Sequence, residues 1–503
     1  MISYFTILLL IVILFIVMGA VVLEHLLNKP TKTSAMEEGL KEPPKPMKFP
    51  IIGHLHLMAG YEVPYQAFTS LGKKFGGIVK LQLGNVHCVV VNEQKNIREA
   101  LITKGHHFDS RPNFERYQRL FSGNKENSLA FCDWSNTQKI RRDMLKAHTF
   151  PRAFTNKYLT LDTLIARETR DLVQKLGDNP SAKLKPLLLA KCANIFLNHF
   201  CSENFDSQSG EFAKMVQNFD EVFYEVNQGY AADFLPFLLR FQQKNLRRMN
   251  VLTQEIREFI HNQVIKDKFE TFNPDVEPKD YLESLIGHVK REQQKNKEQP
   301  ALDWEMALFA LEDIIGGHSA VGNFLMKLFG YLVTEQDVQK KIQQEIEQAV
   351  GSERDISICD RNQLVYTEAV IYEAIRLIAS PIVPRVANQS SSINGYRIEK
   401  GTVLFLNNYD LSMSEDLWTS PEKFMPERFI KNGALFKPEH FLPFGGGRRS
   451  CMGYKLVQLV SFGILAATMQ NFTLKPVEGE CYKVPVGSLA LDREGFKIRF
   501  ERR

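Results

Sequence analysis

The chain opens on an unbroken apolar run. Residues 1–23, reading ISYFTILLLIVILFIVMGAVVL after the first Met, carry no charged side chain. As a helix rising 1.5 Å per residue the run is about 34 Å long, enough to cross a hydrocarbon core of roughly 30 Å. A cleaved secretory signal competes with that reading, but a signal has a basic leading region and a shorter apolar stretch. Residues 24–50 are polar and end in KEPPKPMKFP, whose prolines favour a stiff, extended hinge. Residues 51–503 form the globular part. Strand-like runs, GGIVKLQL and CVVVN, lie at 76–92 around a Gly84-Asn85 turn. Helical periodicity then dominates to about 380, with the clearest stretches at 208–227, 242–268 and 301–333. A turn-rich region from 381 to 450 carries one hairpin, expected between INGYRI and TVLFLNN. A helix over about 452–470 and two closing strands, FTLKPV and FKIRF, complete the pattern. The expected fold is mainly α with small β-sheets, in a single domain on one N-terminal transmembrane helix. The apolar segment AADFLPFLLRF (231–241) reads either as a buried connection between helices or as a second membrane contact.

Composition narrows the class. With 503 residues, 44% hydrophobic, the chain can bury a large core without disulfides. A net charge of +5 gives no argument for nucleic acid. A mean hydropathy of −0.22 excludes a polytopic membrane protein but not one span. Lys29, Lys32, Lys41, Lys45 and Lys48 follow the apolar run and none precedes it, which places the bulk of the chain on the cytoplasmic side. The seven cysteines are scattered, odd in number and form no CxxC pair, as expected in a reducing compartment.

The stretch Phe441-Leu-Pro-Phe-Gly-Gly-Gly-Arg-Arg-Ser-Cys-Met-Gly453 carries the most chemistry. It is no phosphate loop, because the downstream Gly-Lys-Ser/Thr is missing. Cys451 stands just before a helix, where the dipole and free N–H groups lower a thiol pKa. Glycines allow close approach of backbone amides, and Arg449 adds positive charge. A lone cysteine is more often a buried structural one. The spacing argues otherwise: Phe444, Gly447, Arg449, Cys451 and Gly453 match F-x-x-G-x-R-x-C-x-G at every fixed position. The stretch resembles the haem-binding loop of the cytochrome P450 superfamily. That resemblance implies Cys451 as the axial thiolate on haem iron, Phe444 packed beneath it and Arg449 facing a haem propionate. Thiolate ligation favours O–O cleavage.

The resemblance extends upstream. Glu373-Ala-Ile-Arg376 matches the family's E-x-x-R, and Arg428 in Pro426-Glu-Arg-Phe429 matches the residue that closes its Glu–Arg–Arg network. Residues three apart share a helix face, and Arg suits a buried, planar network. The implied role is structural. Arg385 matches a propionate-binding position. The family's Trp-x-x-x-Arg is altered: Trp134 is followed by Gln138 at that spacing, then by Lys139, Arg141 and Arg142. Lys139 is the expected substitute cation, and the three basic residues are an expected docking face for an acidic reductase or else a solvated basic face.

On the long helix the family writes A/G-G-x-D/E-T, whereas this chain writes Gly316-Gly317-His318-Ser319-Ala320. The glycines weaken the helix by about 1 kcal/mol each relative to Ala and permit a local opening for oxygen. Alanine cannot relay a proton, and oxygen activation needs two. Three explanations stand. Ser319, His318 or a substrate hydroxyl with ordered water replaces the pair. The enzyme is an isomerase or dehydratase that needs no reductase. Or the chain is a non-catalytic sterol- or gas-binding haem protein. His318 has a suitable pKa for a donor, but the helical step of about 100° from Gly317 favours its facing a neighbouring helix. The wording GGHSA with FGGGRRSCMGYK is similar to the insect Spook/Spookier group of ecdysteroid-synthesis enzymes, which act after 7-dehydrocholesterol. The resemblance implies a monooxygenase acting on a flat sterol with molecular oxygen, at the cytoplasmic face of the endoplasmic reticulum membrane. Electrons are expected from a separate NADPH-cytochrome P450 reductase, since no dinucleotide Gly fingerprint is present.

Overall fold

A computed structural model describes residues 39–179, 183–207, 209–295, 304–491 and 494–503. The expected anchor, residues 1–23, lies outside the described residues. Among the described residues no helix is long and apolar enough to cross a membrane.

Helices α1 (Pro64–Phe75), α2 (Asn136–Thr149), α3 (Asn156–Asp178), α4 (Leu184–Cys201), α5 (Gly210–Asn227), α6 (Leu239–Phe259), α7 (Trp304–Thr334), α8 (Val365–Ile378) and α9 (Tyr454–Asn471) build the bulk of the fold. α7 is its axis. It is apolar on nearly all sides, as a helix wrapped by neighbours must be, and it packs most extensively on α4. Leu161 of α3, Leu188 of α4, Leu325 of α7 and Phe462 of α9 meet in one fully buried core. Some polar groups inside it are paired across helices. Lys185 Nζ lies 2.8 Å from Asp220 Oδ2, and Asn323 Nδ2 donates to Asp220 Oδ1 at 2.7 Å, which ties α4, α5 and α7 together.

Strands β1 (Ile78–Leu83), β2 (Val86–Val91), β3 (Arg385–Val386) and β6 (Val403–Leu406) form a sheet in the order β1-β2-β6-β3. β2 runs parallel to β6, with Cys88 opposite Val403 and Val91 opposite Leu406. The expected hairpin is rearranged. β4 (Ser391–Ile393) pairs with β5 (Tyr396–Ile398), and VLFL joins the other sheet. The cause is the Asn394-Gly395 loop: both residues have positive φ, at 50° and 76°, the geometry of a two-residue hairpin turn. A short hairpin joins β7 (Ile430–Lys431) to β8 (Ala434–Leu435). The closing strands β9 (Phe472–Pro476) and β10 (Ile498–Arg502) pair with each other, beside α9.

The proline-rich segment packs on this sheet layer. Lys41 bridges Tyr396, and the Lys80 amide donates to the Pro44 carbonyl at 2.9 Å. The 231–241 segment divides its side chains. Ala232 and Leu235 are buried, the Phe234 carbonyl accepts from the Asn85 amide at 2.8 Å, and Phe237 and Phe241 point out, 54% and 69% exposed.

Candidate functional site

The cysteine loop is shaped by backbone before any side chain contributes. Cys451 N–H donates to the Phe444 carbonyl at 3.0 Å and closes residues 444–451 into a loop. Gly447 turns it with φ +67°, and a Cβ there would sit 2.2 Å from the Leu101 carbonyl oxygen, so two independent constraints require glycine. α9 begins at Tyr454, and the Gly453 and Tyr454 amides reach the Cys451 sulfur. Burial raises the thiol pKa, while those amides and the Arg142 charge pull it down. The thiol thus lies deep in the protein yet its side chain is accessible on one side. Phe444 packs against the core with its ring 5.8 Å from that of Tyr454.

Positive charge gathers beside the loop. Arg449 Nη2 donates to the carbonyls of Cys132 at 2.6 Å and Ala130 at 3.1 Å. Arg385, placed by β3, donates from Nη2 to the Arg449 carbonyl at 3.3 Å. Arg142 of α2 donates to the Ser450 carbonyl at 2.7 Å. Arg111 grips Ala130, Val383 and Pro384 through their carbonyls. Burial, then repulsion from neighbouring guanidinium groups, depresses three pKa values: Arg385 to about 9, Arg142 to about 10 and Arg111 well below normal. None of the four pairs with a carboxylate among the described residues, and the Nε atoms of Arg385 and Arg449 are buried without acceptors. Such a cluster is complete only with an anion that carries more than one charge.

Lys139 does not join it. Its side chain is exposed, and Arg142, one turn further, faces the loop instead. Gln138 is buried and donates to the Leu129 carbonyl at 2.7 Å. Arg141 is not on a basic face either: it is buried and donates to the carbonyls of Asn127 and Glu126. The expected docking surface of Lys139, Arg141 and Arg142 is therefore reduced to Lys139. Arg111 was not singled out by sequence, and Arg142 was read only as part of the basic face.

Behind the loop, Arg376 Nε and Nη2 donate to the two Glu373 oxygens, each at 2.8 Å, and Arg428 Nε donates to Glu373 Oε1 at 3.0 Å. Both guanidinium groups also lie over Trp418, at 5.2 and 5.6 Å from its ring centroid. Trp418 in turn meets His440 and Phe429, and Phe429 meets Phe441 at 4.8 Å. The ion network therefore reaches the first residue of the cysteine stretch through aromatic contacts. Trp418 is the link that motif reading missed.

On α7 the side chains divide by helical phase. Asp313, Gly316, Gly317 and Ala320 form a partly accessible stripe at i, i+3, i+4 and i+7, on a helix otherwise wrapped by protein. His318 and Ser319 are fully buried off that stripe. His318 Nδ1 donates to the Ile315 carbonyl at 2.7 Å and its ring meets Phe219 of α5 edge-on at 5.2 Å. Burial lowers its pKa to about 4. The Ser319 hydroxyl turns to His318 Nε2 at a long 3.4 Å. Neither is placed as a proton donor to the accessible stripe, which corrects that expectation. The glycine pair does not open the helix: α7 runs unbroken, and a Cβ on Gly316 or Gly317 would come 3.0 Å from Phe219 or Phe196. Their smallness admits those two rings.

The arrangement fits haem. A thiol open on one side offers an axial ligand, and four guanidinium groups lacking an anion match two carboxylates. A family model described as Cytochrome P450 matches residues 43–500. The chain belongs to the cytochrome P450 family and is a haem-thiolate monooxygenase. Among its relatives, cytochrome P450 307a1 of Drosophila melanogaster is 36% identical over 484 residues, covering 90% of this chain and 88% of the relative. Cytochrome P450 1A1 of Mesocricetus auratus is 28% identical over 458 residues, covering 88% and 86%. Cytochrome P450 1A1 of Macaca fascicularis is 28% identical over 462 residues, covering 87% and 88%.

Proposed function

We propose that this monooxygenase oxidises a sterol at an early step of ecdysteroid synthesis, after 7-dehydrocholesterol. It would be anchored in the endoplasmic reticulum membrane by residues 1–23 and receive electrons from NADPH-cytochrome P450 reductase. The observation that carries the chemistry is the one-sided access to Cys451 beside the unpaired guanidinium cluster. The sterol assignment rests on the GGHSA and FGGGRRSCMGYK stretches and is supported by the 36% identity to an insect relative.

In this reading Cys451 would hold the haem iron through its sulfur. The Gly453 and Tyr454 amides and the Arg142 charge favour its thiolate against the burial that raises its pKa. Arg111, Arg142, Arg385 and Arg449 neutralise the two propionates. When bound, haem supplies oxygen activation, and its thiolate ligand favours O–O cleavage. Glu373, Arg376 and Arg428 hold the loop from behind. Ala320 supplies no proton, so the hydroxyl of the substrate and water held beside it take that part. Met47, Phe49, Ile51, Phe237 and Phe241 are exposed apolar side chains that would rest on lipid beside the anchor.

The test is incubation of haem-loaded protein with 7-dehydrocholesterol and oxygen, with and without reductase and NADPH. Oxidised sterol is expected only with both. Product that forms equally without reductase overturns the reading, as does survival of the red-shifted ferrous–carbonyl band in Cys451→Ser.

A further inference from the structure

Asp313 is the titratable side chain on the accessible stripe of α7, one turn before Gly316 and Gly317. Its neighbour Glu312 faces elsewhere and is committed to Arg257 at 2.9 Å. Asp313 has no such partner: no cation pairs with it among the described residues. Its hydrogen bonds, from the Ser128 hydroxyl at 2.9 Å and the Leu129 amide at 2.6 Å, both end on Oδ2. They fix the carboxyl group at the partly accessible stripe. The loop it grips is the one that Arg111 and Arg449 hold through Ala130, so the carboxyl group is positioned by the same frame as the cationic cluster.

A carboxyl group in this position is costly unless it is neutral or has a polar ligand. Burial raises its pKa, against the opposing pull of the Leu129 amide, the Ser128 hydroxyl, the Arg141 charge and the Ala130 amide. A neutral carboxylic acid has a proton to donate as well as an oxygen to accept with. The other stripe positions are Gly316, Gly317 and Ala320, which offer no side-chain polar group.

We propose that Asp313 is a substrate-positioning residue that hydrogen-bonds a hydroxyl group of an otherwise apolar substrate and so sets which part of it lies along the Gly316–Ala320 stripe. This rests on the reading that the interior takes a hydroxylated apolar molecule. It accounts for how a substrate hydroxyl could be held where Ala320 offers none.

The experiment measures binding, by equilibrium dialysis of the haem-loaded full chain, of a 3β-hydroxysterol against its 3-deoxy form. The same ratio is read for 1-dodecanol against dodecane, so that a chain indifferent to sterols still reports on Asp313. The hydroxylated partner should bind at least tenfold tighter in the native protein. Asp313→Ala should bring that ratio to within about twofold while leaving affinity for the deoxy ligand and the ferrous–carbonyl band unchanged. Asp313→Asn, which keeps an acceptor for Ser128 and Leu129 and a donor for the ligand, should retain most of the preference. A ratio that survives Asp313→Ala, or is missing from the native protein with both pairs, overturns the proposal. Failure of sterols alone, with the alcohol preference intact and Asp313-dependent, overturns the sterol reading and leaves Asp313 standing.

Discussion

Arg385 donates to the backbone carbonyl of Arg449 at 3.3 Å, which holds two like-charged guanidinium groups side by side in the interior. Replacing Arg385 by Leu removes repulsion from the protein without haem and one charge-assisted contact from the protein with it. The expected result is a split. Haem should be lost to a scavenging apo-globin roughly 10–100-fold faster, the equivalent of about 1.5–3 kcal/mol. The haem-free form should melt at the same temperature or higher. A haem-loss rate equal to the native rate would refute the propionate role.

Glu373 faces two buried guanidinium groups, and its loss leaves both without an anion. Glu373→Gln should destabilise the fold by about 3–5 kcal/mol and abolish haem retention. Thermal melting and the ferrous–carbonyl spectrum measure the two effects together.

The two loop glycines should separate cleanly. Gly447→Ala meets both the Leu101 oxygen and a left-handed backbone, so the loop must shift and haem content should fall severalfold. At Gly453 the backbone has φ −88° and a Cβ would meet no protein atom within 4 Å, so Gly453→Ala should leave the haem-free fold as stable as the native one. Melting of the haem-free variants decides between them.

Acid should weaken the fold through His318. Its folded pKa is about 4, below the ordinary value of 6.5, so the unfolded chain binds the proton first as pH falls. Stability is full above pH 6.5 and is lost down to about pH 4, on the order of 3 kcal/mol from this group. Urea unfolding at pH 7 and pH 5 should show the slope, and His318→Asn should reduce it. A slope unchanged by that substitution would exclude His318 as its source.

Phe241 should lie in lipid in the membrane-bound full chain. Phe241→Trp should fluoresce with quenching by brominated acyl chains beyond that of the three native tryptophans. Emission unaffected by bromine would place the 231–241 segment away from the bilayer.

Much of the site was legible because its residues sit at fixed local spacing. Glu373 and Arg376 share one helical face, and Phe444 to Gly453 form one closed loop. What escaped was set by helical phase or by distant packing. Ser135 caps α2, accepting from the Gln138 amide at 3.1 Å, and that start turns Arg142 inward and Lys139 outward. His318 falls off the stripe, and Asp313, which sequence did not single out, falls on it for the same reason: the stripe of α7 lies on 313, 316, 317 and 320. Arg111 reaches Val383 across 272 positions, a relationship that no local pattern encodes. The hairpin was misplaced because the Asn394-Gly395 turn closes its own short ladder, which frees β6 for the sheet.

That sheet also imposes an order in time. β2 finds its parallel partner β6 late, and Asn407 Nδ2 reaches Asn92 Oδ1 from 315 positions away, at 2.8 Å. At ribosomal speeds roughly 15–60 s separate the synthesis of the two strands. For most of that interval Arg111 and Cys132 exist while Arg385, Arg449 and Cys451 do not. With Cys451 as the proposed ligand, haem capture waits until synthesis has passed it, and a nascent chain stalled before Cys451 would carry none.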